Sequence, residues 1–370
     1  MPFYNDLRPE SDYERRDYAL VFPNMTVEEK VRTITNLIRL KSGLEQRVPS
    51  RKADENLLVA SWNIKEFGHT TQRLNEAYFY IAEIVARFDL VAIQEVKSTL
   101  KDLQIVMRIL GSDWDYIVND ITDGDSGNSE RSAYLFNNKR LRLSGLAGEI
   151  VLWSDITDGS EIKQLKRTPY IIGFKAGWKS FAMINLHLHP GDNADDVAFR
   201  KEEIRLLLAA LEKKSGGLWT QNLILSGDFN LYDTKDDLAV ALINQAGYSE
   251  IDGLKGKDTN ASQTEAYDRL FVKRNQYFQV ATDDTGKGIG DVFNPFEFVF
   301  WQEEHAQYKE EMLAVYGGNK DLKNDAEALE NYFMRHWRRN QISDHFPIWF
   351  ELATDSSVTF LNKKKAQLGG

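Results

Sequence analysis

From Asn56 to Ala353 the chain is built of short apolar runs separated by polar, glycine-containing or turn-forming stretches. Residues 57–60, 90–93, 132–136, 170–174, 181–188, 223–226, 267–272 and 346–352 are runs of this kind. Their length and their content of Val, Ile, Leu and aromatic residues predict buried strands. Helical spacing of apolar positions marks 74–88, 197–213 and 235–245. So many strands with so few helices between them predict two packed sheets flanked by helices, not one doubly wound parallel sheet.

The first 55 residues have a different pattern and read as a helical appendage. Thr26-Val27-Glu28-Glu29 has the form of a capping box, with Thr26 at the N-cap and Glu29 at the third helical position. Val27, Val31, Ile34 and Ile38 then recur at helical spacing to about Leu40, and Gly43 is the expected stop. The expectation is a helix packed on the main domain, with a protein partner bound through 1–55 as the alternative. The main domain then spans 56–354, interrupted at about 301–340 by a charged helical insertion that ends in Arg335-His336-Trp337-Arg338-Arg339, and 355–370 is a tail. The glycine-rich stretch at 283–291 reads as a loop, because its Gly-Lys-Gly lacks the Ser or Thr that follows Lys in a phosphate-binding P-loop.

Composition narrows the function. The chain has 370 residues and 42% apolar content, ample for one large α/β core. No apolar stretch approaches a membrane span, and residues 1–10 lack the basic start and apolar run of a secretory signal, so a cytoplasmic protein away from membranes is expected. Cysteine is absent, which excludes disulfides and thiolate zinc sites. A net charge of −10 argues against an architectural nucleic-acid binder that grips by bulk electrostatics. It leaves a nuclease open, because a bound metal is itself a large local positive charge.

Candidate chemistry clusters at the ends of the predicted strands. Asp228 and Asn230, two apart in Gly227-Asp228-Phe229-Asn230, are expected on one face of a strand end, and Ser343-Asp344-His345 sets an acid beside an imidazole. Asn63, Glu95, Glu130, Arg167, His187 and Asp268 occupy comparable positions. Carboxylates, amides and imidazoles at strand ends are the groups that metal-assisted cleavage of phosphate esters requires.

In this order the strings resemble the endonuclease/exonuclease/phosphatase superfamily, most closely its pancreatic-type deoxyribonucleases, over residues 57–353. Asn63-Ile64-Lys65-Glu66-Phe67-Gly68 and Ala266-Tyr267-Asp268-Arg269 carry the deoxyribonuclease likeness; inositol-phosphatase relatives usually have Trp-Cys where Ala266-Tyr267 stand. The resemblance implies a four-layered α/β sandwich, two packed and mostly antiparallel sheets covered by helices, with the active site at one edge. It assigns Glu95 to a divalent metal, with Asn63 and Asp344 nearby, and pairs His187 with Glu130 and His345 with Asp268. Asp228 and Asn230 would line the same pocket, Arg167 would hold the substrate phosphate, and Lys65 and Lys97 would lie against the DNA. Asn128 stands where the family carries a groove-contacting Tyr.

The function so implied is a Mg2+-dependent nuclease, with Mn2+ able to substitute, that hydrolyses phosphodiester bonds in DNA by in-line attack of an activated water. An endonuclease is favoured over an exonuclease, and RNA stays open as a substrate. Mg2+ suits a site with few carboxylates and several retained waters. His187 and Asp228 are both eligible to activate the water. The alternatives are a phosphatase or phosphodiesterase of the same superfamily acting on a small or lipid-linked phosphate, and a catalytically retired scaffold.

Overall fold

The computed structural model describes residues 2–12, 20–68, 72–121, 130–214, 222–232, 235–273, 275 and 277–369. In chain order its first half runs α1 (Val27–Arg47), β1 (Asn56–Phe67), α2 (Asn75–Arg87), β2 (Leu90–Lys97), α3 (Lys101–Leu110), β3 (Trp114–Val118), β4 (Glu130–Asn137), β5 (Arg142–Glu149), β6 (Tyr170–Ala176) and β7 (Lys179–His187). There follow α4 (Ala194–Lys214), β8 (Leu223–Asp228), α5 (Asp237–Gln245), β9 (Ser249–Glu250), β10 (Asp268–Val272) and β11 (Gly290–Val292). The remainder is α6 (Lys309–Val315), α7 (Ala326–Tyr332), α8 (Arg338–Gln341), β12 (Ile348–Ala353) and α9 (Ser357–Gln367).

The strands form two six-stranded sheets, ordered β11-β12-β1-β2-β4-β3 and β5-β6-β7-β8-β10-β9. Among the described residues only β1–β2 and β7–β8 pair in parallel; the other neighbours run antiparallel. Period-two alternation in β1 shows why the sheets stack. Leu57 and Val59 enter the core shared with Ile172, Phe174 and Met183 of the facing sheet, whereas Leu58, Ala60 and Trp62 enter the core under α1 and α2. The outer face of the second sheet is covered by α4 and α5 through Ile204, Leu207, Ala239 and Ile243. The result is two packed sheets flanked by helices, as the strand pattern predicts, in the four-layered α/β sandwich that the resemblance implies.

The N-terminal helix departs from expectation in two ways. Thr26 and Glu29 do form the reciprocal capping box, but α1 continues through Gly43 to Arg47. Gly43 is a packing residue: a Cβ there would meet the ring of Phe298. The apolar stripe also faces outward, with Val27, Val31 and Ile38 being 78%, 57% and 65% exposed. Leu37, Leu40 and Leu44 pack inward instead, flanked by buried Lys30, Thr33 and Asn36. Arg32 pairs with Glu76 and Glu311, and Arg39 with Glu304, so long-range ion pairs turn the more polar face inward.

Candidate active site

Two irregular strands and one glycine bring the polar residues together. The β1–β2 ladder shifts register between Asn63 and Phe67, and the β2–β4 ladder between Ile93 and Val96. Glu66 and Glu95 there adopt left-handed backbone, at φ 45° and 59°. Each such residue costs on the order of 1–3 kcal/mol and persists only where its surroundings enforce it; the bulges re-aim the Glu95 side chain. In β8 of the second sheet, Gly227 has φ 135°, and a Cβ there would strike the backbone of Leu186 on β7, its parallel partner. Glycine thus lets β8 run close to β7 and deliver Asp228 beside His187, its register partner.

The core of the site straddles both sheets. His187 Nδ1, from the second sheet, lies 3.0 Å from Glu130 Oε2 of the first, and its Nε2 lies 3.6 Å from Asp228 Oδ2. The ring of His345, just before β12, places Nδ1 2.8 Å from Asp268 Oδ2 and Nε2 3.8 Å from the same Asp228 oxygen. Asp228 therefore sits between two histidine–carboxylate units. The Asn63 amide bridges the sheets as well, donating to Glu95 Oε1 and Asp228 Oδ2 at 3.0 Å each. Glu95 Oε2 accepts from the Glu66 N–H at 2.9 Å.

Electrostatics separate the roles of these groups. Burial alone would raise the Asp228 carboxyl, but His345, His187, the Asn230 N–H and the Asn63 amide outweigh it and hold it below its ordinary range. Burial is the main influence on Asp268 and pushes it upward, opposed by His345 and reinforced by the negative charge of Asp228. Burial would strip the proton from His345; the carboxylates of Asp268, Asp228 and Asp344 prevail and keep it charged well above the usual histidine range.

Glu130 is pushed up by burial yet held at about 2 by the His187 ring and the charges of Arg167 and Lys97. A depressed carboxyl stabilises the fold above its ordinary 4.5 and loses that contribution as pH falls through about 2. The difference corresponds to roughly 3 kcal/mol. Glu130→Gln is therefore expected to flatten the decline of stability between these pH values, which urea unfolding of variant and wild type at stepped pH measures.

The remaining expected residues are distributed around this centre. Arg167 donates through Nε to Glu130 Oε2 at 2.9 Å, and Lys97 Nζ lies 3.4 Å from Glu130 Oε1. Asp344 stands at the rim, a third exposed, with Lys65 Nζ 3.4 Å away, and joins neither acidic group. Asn230 is a correction to the period-two reading. The strand ends at Asp228, Asn230 is left-handed at φ 49°, and its amide donates to the Leu188 carbonyl at 3.0 Å while its N–H donates to Asp228 Oδ1. It shapes the turn that fixes Asp228. Asn128 lies outside the described residues.

Several supporting residues carry no local sequence signal. Gln94 and Asn185 hydrogen-bond at 2.6 Å across the sheets, beneath Glu95 and His187. The Ser343 hydroxyl donates to the Asn63 carbonyl at 2.7 Å and accepts the N–H groups of Lys65 and His345 at 3.1 Å. Thr259 Oγ donates to Asp268 Oδ2 at 2.7 Å. Arg73, fully buried, reaches Asp102 and the carbonyls of Gln341, Ile342 and Lys65. Each joins elements distant in sequence, so only the folded chain reveals it.

The donor set fits a hard divalent cation. Ligand atoms of Glu95, Glu130 and His187 lie within 4.8 Å of one another, and so do those of Asp228, Asp268 and His345. Asn63 Oδ1 beside the first group is buried with no hydrogen-bond partner. An uncompensated buried carbonyl oxygen is costly and suits a cation or its water.

No family model matches the chain. Among curated proteins it is 22% identical to deoxyribonuclease gamma of Rattus norvegicus over 327 residues, covering 84% of this chain and 88% of that protein. It is 26% identical to deoxyribonuclease-1 of Bos taurus over 233 residues, 59% of this chain and 77% of that protein. Among solved structures, a functionally unknown conserved protein from Enterococcus faecalis V583 superposes with a TM-score of 0.50 at 16% identity, covering 81% of this chain and all of that one, and so shares the fold.

Proposed function

We infer from its membership of the endonuclease/exonuclease/phosphatase superfamily, on the deoxyribonuclease side, that this chain is a divalent-metal-dependent nuclease hydrolysing phosphodiester bonds in DNA. The observation that carries the reading is the single buried carboxylate of Asp228 shared by two histidine–carboxylate units at one edge of the sandwich. A scaffold has no use for such a costly arrangement. Cleavage within a strand is the favoured mode, and Mg2+ the favoured ion, with Mn2+ as a substitute.

The proton steps follow from the charges. A water attacks the phosphorus in line with the leaving 3′-oxygen, and its proton passes to the Asp228–His187 pair, 3.6 Å apart. Glu130 faces the other ring nitrogen of His187 and orients the imidazole for this transfer. His345, held protonated, delivers a proton to the leaving oxygen, and Asp268 compensates its charge. Arg167, Lys97 and Lys65 face the incoming phosphates. Glu95, with the orphaned Asn63 oxygen, would hold the cation, and Asp344 would tune the rim. When bound, the cation offsets charge that builds on the phosphate in the transition state.

A cytoplasmic setting belongs to the same proposal: the chain has no cysteine to stabilise outside the cell, and no helix of the described residues is long and apolar enough to cross a membrane. No partner protein is assigned to segment 1–55.

The test is nicking of supercoiled plasmid by the purified protein. Activity is expected with Mg2+ or Mn2+, lost in EDTA, and reduced on the order of 10²-fold or more by His187→Ala. Nicking that survives chelation and the substitution would contradict the mechanism. Phosphate release from inositol phosphates without nicking would instead identify a phosphatase of the same superfamily.

A further inference from the structure

The insertion between β11 and β12 carries a cavity of about 560 Å³ that the cleavage chemistry does not use. α7 ends at Tyr332 and runs directly into a π-helical turn, Phe333–Trp337, before α8. The turn directs Phe333 and Trp337 into the core and leaves Arg335 and His336 exposed beside Tyr332. A π turn inserts an extra residue and commonly marks a functional position. Tyr332 packs edge-on against Tyr316 at 4.8 Å and stacks with His336 at 6.0 Å. The Tyr316 hydroxyl accepts the Lys320 N–H at 3.1 Å, which fixes that ring.

The cavity therefore has a wall of three rings and two cations, Lys320 and Arg335, with Glu327 as the lining carboxylate. The side chains of Lys320 and Arg335 make no hydrogen bond or ion pair among the described residues. An apolar ligand would not need the cations, and a simple anion would not need the rings. A planar base carrying a phosphate needs both.

A chain of contacts leads from the helix that carries Arg335 towards the cleavage centre. Arg335 and Arg339 stand four residues apart, about one helical turn. Arg339 donates to Ser262 Oγ at 3.2 Å. The same loop carries Ala261, whose N–H donates to the Asp344 carbonyl at 2.7 Å, and Thr259, which holds Asp268.

We propose that this cavity is a subsite for an unpaired nucleotide of the substrate strand, engaged outside the bond being cleaved; the proposal rests on the nuclease reading above. The base would stack on Tyr332 and His336 and its phosphate would face Arg335 and Lys320. Such a subsite favours DNA with a single-stranded stretch near the cut.

Binding in EDTA separates the subsite from the chemistry. The probe is a short fluorescent oligothymidylate followed by anisotropy, with adenosine 5′-monophosphate as competitor. Tyr332→Leu and Arg335→Glu are each expected to weaken strand binding about 5- to 100-fold. Lys175→Glu, an exposed lysine on β6, controls for bulk charge and is expected to have a much smaller effect. Tyr332→Leu keeps an apolar side chain and Arg335 is exposed, so thermal unfolding close to wild type is expected for both. Equal weakening by Lys175→Glu and Arg335→Glu, or wild-type strand binding by Tyr332→Leu, would overturn the subsite. Binding of the mononucleotide that depends on Tyr332, with strand binding indifferent to it, would also overturn the assignment, because the pocket would then serve free nucleotides. Wild-type plasmid nicking, read in parallel, isolates the premise. Its absence overturns the nuclease reading, whereas nicking combined with strand binding insensitive to the pocket variants overturns the subsite alone.

Discussion

Asp228→Asn is expected to slow plasmid nicking about 10³-fold while leaving the protein folded, within the range that positioned acid–base groups supply. The substitution preserves shape and removes only the charge. Asp228 Oδ2 faces Nε2 of both His187 and His345, and the carboxylate also accepts the Asn230 N–H and the Asn63 amide. Its negative charge is one reason that His345 stays protonated, after that of Asp268. An amide at this position receives no proton from water and no longer supports the imidazolium.

Two readouts follow from the same change. The rate falls, and the His345 titration followed by NMR moves down towards the ordinary histidine range. The sign for stability is also defined. A histidine whose folded pKa is raised contributes stability in full below its unfolded value of about 6.5 and loses it as pH climbs through the raised value. In Asp228→Asn this loss begins at lower pH. A variant that nicks within tenfold of wild type would rule out the shared carboxylate as the centre of the mechanism.

Arg73→Ala is expected to cost about 3–5 kcal/mol of stability, the range for removing one partner of a buried ion pair. Arg73 is fully buried and pairs with Asp102. It also donates to the carbonyls of Gln341 at 2.9 Å, Lys65 at 3.2 Å and Ile342 at 3.4 Å. One guanidinium thus ties α3 to the end of β1 and to the segment leading into Asp344 and His345. Arg73→Lys offers one ammonium where a planar fork reaches several acceptors, and should recover only part of the loss. Chemical denaturation gives the stability difference. Nicking under conditions where the variant remains folded tests the second consequence, a lower rate from a displaced His345. Stability within 1 kcal/mol of wild type would show that the network relaxes around the gap.

The strands and the site strings were legible for one reason. Strands covered on both faces, such as β1, are apolar along most of their length, and the polar residues towards their ends stand out, among them Asn63, Glu95, His187 and Asp228. Elements lacking that contrast were not legible. β5 is an edge strand with two glycines and alternating exposure, so it carries little apolar signal. The helix α9 has no buried residue and follows a stretch expected only as a tail. α1 shows a different failure, since periodicity identifies a helix but not which face is buried. Its outward stripe is the more apolar one, because Arg32 and Arg39 pull the other face inward through partners more than forty residues away in sequence. Asn230 was expected beside Asp228 by alternation, yet the two meet through a left-handed turn. The ties from Gln94, Ser343, Thr259 and Arg73 depend on contacts that no local pattern encodes.

Three of the central pairings join one sheet to the other, Glu130 with His187, Asp268 with His345, and Asn63 with Asp228, whereas His187 and Asp228 are neighbours within the second sheet. No half of the sandwich holds a complete proton relay. A small slippage between the halves would separate these three couples at once, so hydrolytic competence is all-or-none with respect to their alignment. During refolding, activity should therefore reappear in step with closure of the two halves and lag behind the earlier recovery of strand and helix content.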